Sequence, residues 1–179
     1  MKYIMIKTSE KEDCVGCYAC AEICPMDCIS MPVDSEGFWY PLVDEQVCIE
    51  CGRCIEVCPI IQKSSDMAQV KEKSKAYAAL NVDESVRMSS SSGGIFTLLA
   101  ETVLSQDGVV FGARFDNRFN VIHDYVETKD KLELFRGSKY TQSKIGHAYS
   151  QAKGFLEKGR LVLFSGTPCQ ISGLKHYLG

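Results

Sequence analysis

A spacing of cysteines that occurs twice constrains this chain more than anything else in it. Cys14-x2-Cys17-x2-Cys20-x3-Cys24-Pro25 recurs 34 residues later, at every cysteine, as Cys48-x2-Cys51-x2-Cys54-x3-Cys58-Pro59, so the segment is an internal duplication. Nine of the ten cysteines lie between Cys14 and Cys58, and only Cys169 lies beyond. Three thiols two residues apart in a tight loop can each face one corner of a small inorganic cluster, while a continuous chain cannot easily close around it to supply the fourth. Disulfides are the other use of dense cysteine. The start, Met1–Lys7, is too short and mixed for an export signal, so a cytoplasmic location is expected, where metal ligation is the commoner use. Zinc sites use paired C-x2-C knuckles, in which a third cysteine three residues on would be surplus.

The duplicated run resembles that of bacterial ferredoxins, where the fourth cysteine of each run ligates the other 4Fe–4S cluster. That resemblance implies one cluster on Cys14, Cys17, Cys20 and Cys58, and a second on Cys48, Cys51, Cys54 and Cys24. Pro25 and Pro59 end the motifs by directing the chain away. Gly16 and Gly52 are small residues in the loops, where backbone N–H groups approach sulfur. Cys28 is left over; it reads as a small buried thiol on a short helix, with a ligand or redox role as the alternative.

The remaining sequence is that of a globular protein, 45% hydrophobic and 24% charged. No uninterrupted apolar run approaches the ~20 residues a membrane-spanning helix needs. The net charge of −3 is uneven: Met1–Asp66 has 12 acids against 5 bases, and Met67–Gly179 has 11 against 15. Such a division suits an acidic module that docks an electron partner and a mildly basic one that holds an anion, although both can be merely solvated surfaces. No dense basic stripe points to nucleic acid. Tyr3–Ile6 reads as a strand, and Ile29–Val33 and Phe38–Leu42 flank a hairpin turn at Asp34-Ser35-Glu36-Gly37. Beyond a polar, lysine-rich stretch the pattern alternates. Strands are expected at Ala76–Leu80, Val109–Phe115, Val121–Val126 and Leu161–Ser165, and helices at Ile95–Leu104, Lys129–Phe135, Ala148–Glu157 and Cys169–Leu178. The expected architecture is an α+β ferredoxin-like domain at 1–62, a linker at 63–75, and an α/β domain at 76–179 that ends early enough to read as truncated.

Three strings in that second part carry a further resemblance. Ser90-Ser91-Ser92-Gly93-Gly94-Ile95-Phe96, Gly137-Ser138-Lys139-Tyr140-Thr141-Gln142-Ser143 and Gly166-Thr167-Pro168-Cys169-Gln170-Ile171 are similar, in that order, to the coenzyme F420 hydrogenase/dehydrogenase beta-subunit family. The resemblance implies an iron–sulfur flavoprotein oxidoreductase that binds FAD and passes electrons between its clusters and a hydride acceptor, its partner being a redox protein or a small hydride carrier. A flavin suits that task because it exchanges either one electron or two. The contacts implied are Ser92, Gly93, Gly94, Ser138, Lys139, Tyr140, Thr167 and Cys169. Read without the family, the Ser-rich stretch is a flexible entry to a capped helix whose N-terminus would favour phosphate, Lys139 is a surface lysine and Tyr140 a half-buried ring. Cys169 stands near a helix N-terminus, which favours a thiolate. The competing reading is a ferredoxin-type electron-transfer or adaptor protein without flavin.

Overall fold

The computed structural model describes residues 5–7, 11–62 and 75–179. The chain divides into two compact units: Met1–Glu72 together with Thr167–Gly179, and Lys73–Gly166. The final helix therefore groups with the cysteine-rich segment, whereas the sequence places it at the end of an α/β domain. The expected linker lies almost wholly outside the described residues, as does most of the strand expected at Tyr3–Ile6; Met5 and Ile6 are not in a strand.

In the first unit, α1 (Ala19–Glu22) and α2 (Arg53–Glu56) are single turns that occupy equivalent places in the two cysteine runs. Between them β1 (Ile29–Ser30) and β2 (Leu42–Val43) pair antiparallel, with Ile29 opposite Val43, and a further bridge joins Val33 to Trp39. The turn is organised by Asp34. Its Oδ1 accepts the N–H groups of Glu36 at 2.9 Å and Phe38 at 3.0 Å, and its Oδ2 accepts from Lys11 Nζ at 2.5 Å. Lys11 and those N–H donors hold the Asp34 carboxyl down at about 2. The last helix, α6 (Pro168–Leu178), packs against α1.

The second unit is built on a three-stranded sheet in the order β4–β3–β5. The central β3 (Val109–Phe115) runs antiparallel to β4 (Val121–Val126) and parallel to β5 (Val162–Phe164). Because alternate residues of a strand face opposite ways, Val110 and Phe111 serve different layers. Val110 packs with Val126, Ala100, Leu132 and Phe135, that is, with α4 (Ile95–Leu104) and the 3-10 helix Lys129–Phe135. Phe111 stacks on Phe164 with ring centroids 5.3 Å apart and meets Phe155 of α5 (Ala148–Glu157) at 6.2 Å. On the Val110 side Gly112 leaves room for Phe135: a Cβ there would sit 3.0 Å from that ring, which would have to shift. Arg160 clasps one end of the layers, pairing with Glu127 and donating to the carbonyls of Asp107 at 2.8 Å and Gly108 at 3.2 Å.

Before the sheet, α3 (Glu84–Met88) starts at Asp83, whose Oδ1 accepts from the N–H groups of Ser85 and Val86. Ala76–Leu80, expected as a strand, pairs with nothing in the sheet and is irregular. Its alternation of side chains has no partner strand to satisfy it. No helix among the described residues is long and apolar enough to cross a membrane.

Candidate functional site

The duplication seen in the cysteine spacing extends to individual backbone hydrogen bonds. Ile23 N–H donates to Ala19 O at 3.0 Å, and Val57 N–H to Arg53 O at 3.0 Å; Cys24 N–H reaches Ala21 O at 3.2 Å, and Cys58 N–H reaches Ile55 O at 3.2 Å. Each helix is entered through a residue in the left-handed region, Tyr18 (φ 66°) for α1 and Gly52 (φ 75°) for α2. Two residues earlier in each run the chain is left-handed again, at Gly16 (φ 59°) and Glu50 (φ 53°). Each copy thus puts glycine at one of the two positions and accepts strain at the other. Reading Gly16 and Gly52 as a like pair misses this, since they are not equivalent. The conformation turns N–H groups toward sulfur: Glu50 donates to Cys48 Sγ at 3.4 Å, and Gly16 does the same for Cys14.

The thiols assemble into two groups. Site B is a small pocket of about 20 Å³, lined by Cys24, Cys28, Cys48, Cys51 and Cys54 with apolar walls from Met5, Pro25, Met26, Ile29, Val43 and Ile49. Cys58 is not in that lining. It belongs instead with Cys14, Cys17 and Cys20, each of whose thiols is raised in part by its proximity; we term this group site A. Burial is the larger cause at all three, pushing Cys17 up to about 11. Cys169 of α6 is a further neighbour of Cys17. Among the described residues no three His, Cys, Asp or Glu side chains converge as tightly as a single metal ion requires; at site B the five cysteines line the pocket.

Site A is the better sealed. Cys17 and Cys20 are each 8% exposed, and Tyr18 between them is buried with its ring edge-on to Trp39 at 5.6 Å. Among the described residues the Tyr18 hydroxyl has no hydrogen-bond partner. At site B, Cys51 is exposed. Burial would raise the Cys24 thiol, but N–H donors from Cys28 and Met26 and the Cys28 thiol bring it below its ordinary value. Cys28 lies in irregular chain leading into β1, not on the short helix expected for it. Burial and the neighbouring Cys24 push its thiol up to about 12.

Residues 13–61 match a 4Fe-4S dicluster domain. A second dicluster family matches residues 40–90, a stretch containing only the second cysteine run, so the first match alone spans both sets. No curated protein matches the chain. The N-terminal third is accordingly an iron–sulfur electron-transfer domain. The donor chemistry fits: four soft thiols with apolar walls and N–H groups aimed at sulfur are what such clusters require.

The second unit holds a separate pocket of about 310 Å³, lined by Ala79, Ser90–Thr97 and Phe135–Ser138. It brings two of the family-like strings together: Ser138 N–H donates to Ser91 Oγ at 2.8 Å. Ser92, Gly93, Gly94 and Ser138 all line it. The glycine pair has a packing reason as well. Gly93 O accepts from Asn81 N–H at 2.7 Å, and a Cβ on Gly93 would lie 2.9 Å from Ala79 O. Gly94, left-handed at φ 73°, begins α4 with no side-chain cap, so N–H groups at the helix start remain for a ligand.

Lys139 and Tyr140 are placed otherwise than the resemblance implies. The Lys139 ammonium donates to the carbonyls of Arg136 at 2.8 Å and Leu134 at 3.3 Å, closing the 3-10 helix. Tyr140 is 96% exposed, and neither residue lines the pocket. The pocket's cation is Arg136, which the sequence reading passed over. One of its Nη groups reaches Ser89 Oγ at 3.3 Å, while its buried Nε has no hydrogen-bond partner among the described residues. Its signal was a cation directly before Gly137-Ser138. Thr167 and Cys169 belong to the other unit, where the Thr167 N–H donates to Gln170 Oε1 at 3.0 Å in a capping box at the start of α6. The Thr167 hydroxyl lies 3.0 Å from Cys169 Sγ.

Proposed function

We propose that this chain is the iron–sulfur portion of a flavoprotein oxidoreductase, with one 4Fe–4S cluster held by Cys14, Cys17, Cys20 and Cys58 and the other by Cys24, Cys48, Cys51 and Cys54. The observation that carries the ligand sets is the exchange of fourth cysteines: Cys24 lines the pocket of the second run, and Cys58 neighbours the thiols of the first. Bound clusters supply one-electron transfer. The chain supplies the thiolates, the N–H donors of Gly16 and Glu50 that offset their negative charge, and at site A a wall of Tyr18 and Trp39 that keeps water out.

A flavin would meet this chain in the second pocket, at the lower edge of the roughly 300–1,000 Å³ that ligand sites occupy. The pocket suits a phosphate-bearing part of the molecule, not a whole dinucleotide. The unpaired Nε of Arg136, the hydroxyls of Ser90–Ser92 and the start of α4 are the groups that would hold the phosphate. Cofactor analysis of anaerobically purified protein tests both parts. Iron and acid-labile sulfide are expected at two clusters per chain, with flavin at one per chain and released on denaturation. Iron without flavin would leave the electron carrier alone; colourless protein rich in zinc would end both readings.

A further inference from the structure

Site B contains one thiol more than a cluster needs. Cys28 is 7% exposed and its Sγ lies 3.4 Å from Cys24 Sγ. The repeat gives site A no counterpart, because the residue 34 positions after Cys28 is Gln62; the fifth thiol near site A is Cys169 of α6, a neighbour of Cys17 from a distant part of the chain. Site B also has the exposed thiol, Cys51, and is the site that solvent oxidants reach more readily. The chain between the pair, Pro25-Met26-Asp27, is an exposed turn with Asp27 left-handed (φ 49°), closed by the Asp27 N–H on Cys24 O at 3.3 Å.

We infer that Cys24 and Cys28 form a peroxide-responsive dithiol, which closes to a disulfide when site B loses its cluster and reopens under thiol reductant to let the cluster be rebuilt. The inference rests on Cys24 being a ligand of site B. The half-buried Cys24 sulfur attacks one oxygen of hydrogen peroxide; the O–O bond breaks, one water leaves and Cys24 becomes a sulfenic acid. The Cys28 sulfur then attacks the Cys24 sulfur, the S–O bond breaks, and the hydroxyl departs with the Cys28 proton as a second water. Two thiols are oxidised by two electrons and one peroxide is reduced to two waters. The sulfurs need to approach by roughly 1.4 Å to reach bonding distance, a matter of side-chain rotation in a short exposed turn. Without Cys28 the sulfenic acid loses the thiol that lies 3.4 Å away and continues to sulfinic and sulfonic acids, which thiols do not reduce.

The test uses the full chain with its iron. Hydrogen peroxide is added until the cluster absorbance is lost, remaining thiols are alkylated, and the protein is cleaved at Asp27, between the two cysteines, and examined unreduced by mass spectrometry. In most molecules the fragments carrying Cys24 and Cys28 are expected to remain joined. Dithiothreitol followed by ferrous iron and sulfide should then restore the original iron content. Cys28→Ser should lose iron as readily, show Cys24 as sulfinic or sulfonic acid, and regain only about half the iron, that of site A. Separate fragments, or Cys28 joined to Cys48, would overturn the inference. A starting protein without iron would defeat the ligand assignment alone, and the linkage would still be read from the same digest.

Discussion

Ala19–Glu22 and Arg53–Glu56 are the same short helix made twice, each entered through a left-handed residue. Yet Cys17 and Cys20 are buried around the first, while Cys51 stands exposed beside the second. The duplication extends to matching backbone hydrogen bonds, and it stops at the side chains. Position 18 is a tyrosine packed on Trp39, and its equivalent, position 52, is a glycine with no atom near the place a Cβ would occupy. Backbone repetition thus sets how thiols are presented, and the unrepeated neighbours set how much water reaches them. Burial and hydrogen bonding tune cluster potentials, so clusters held as proposed would differ in potential, and site B, with Cys51 exposed, is the more open to solvent.

The largest expected effect comes from two substitutions four residues apart in one run. Cys58→Ala should empty site A and Cys54→Ala should empty site B, each leaving about half of the iron. The iron remaining in Cys58→Ala sits in the exposed site, so an added chelator or air should bleach it faster than that remaining in Cys54→Ala. Equal bleaching rates would remove the distinction between the sites, and loss of the same cluster in both variants would show that the ligand sets do not cross.

A smaller effect separates the equivalent positions 18 and 52. Tyr18→Ala removes the buried ring that closes site A and should cost roughly 3 kcal/mol, the range found for large-to-small changes of buried aromatics. Gly52→Ala meets no neighbour and should cost about 1 kcal/mol, from the left-handed backbone alone. Unfolding midpoints of anaerobic protein measure both. A loss at Tyr18 no larger than that at Gly52 would mean that the Tyr18–Trp39 contact contributes little, since tyrosine and alanine bear the left-handed backbone alike.

How far these features can be read from residues depends on how local their causes are. The repeat and the hairpin at Asp34–Gly37 are written in short spacings and turn residues, and they are visible directly. Ile95–Leu104 and Val109–Phe115 carry their own periodicity. The left-handed Tyr18 and Glu50 are not legible, because nothing in a tyrosine or a glutamate favours that conformation; the thiol loop imposes it. Lys139 shows the same limit. Its charge is plain in the sequence, but the carbonyls that hold its ammonium become neighbours only once Lys129–Phe135 has folded. Ala76–Leu80 alternates like a strand and lacks a partner. Helix Pro168–Leu178 groups with a segment more than a hundred residues earlier, a contact no local pattern records.

The smallest expected effect divides the cysteine sites from the second unit. His123 on β4 is buried, its Nε2 donating to Ser165 O at 2.7 Å and its Nδ1 2.6 Å from Ser143 Oγ, with its ring stacked on Phe164. A carbonyl can only accept, so Nε2 carries the proton and Nδ1 accepts from the hydroxyl. Burial holds the imidazole below its ordinary 6.5, the Ser165 carbonyl opposing in part. As pH falls through 6.5 the unfolded chain takes up a proton that the folded chain refuses. The stabilisation is therefore complete above 6.5 and declines below it until the folded imidazole titrates. Hydrogen exchange at β4, including the His123 N–H bonded to Lys144 O at 2.8 Å, should quicken between pH 7.5 and 5.5 after correction for intrinsic rates. His123→Asn should flatten that slope. Cluster absorbance should hold steady over the same interval, since no histidine is among the proposed ligands. A parallel loss of both signals would mean that the two units unfold together, and would place the source of the pH response outside His123.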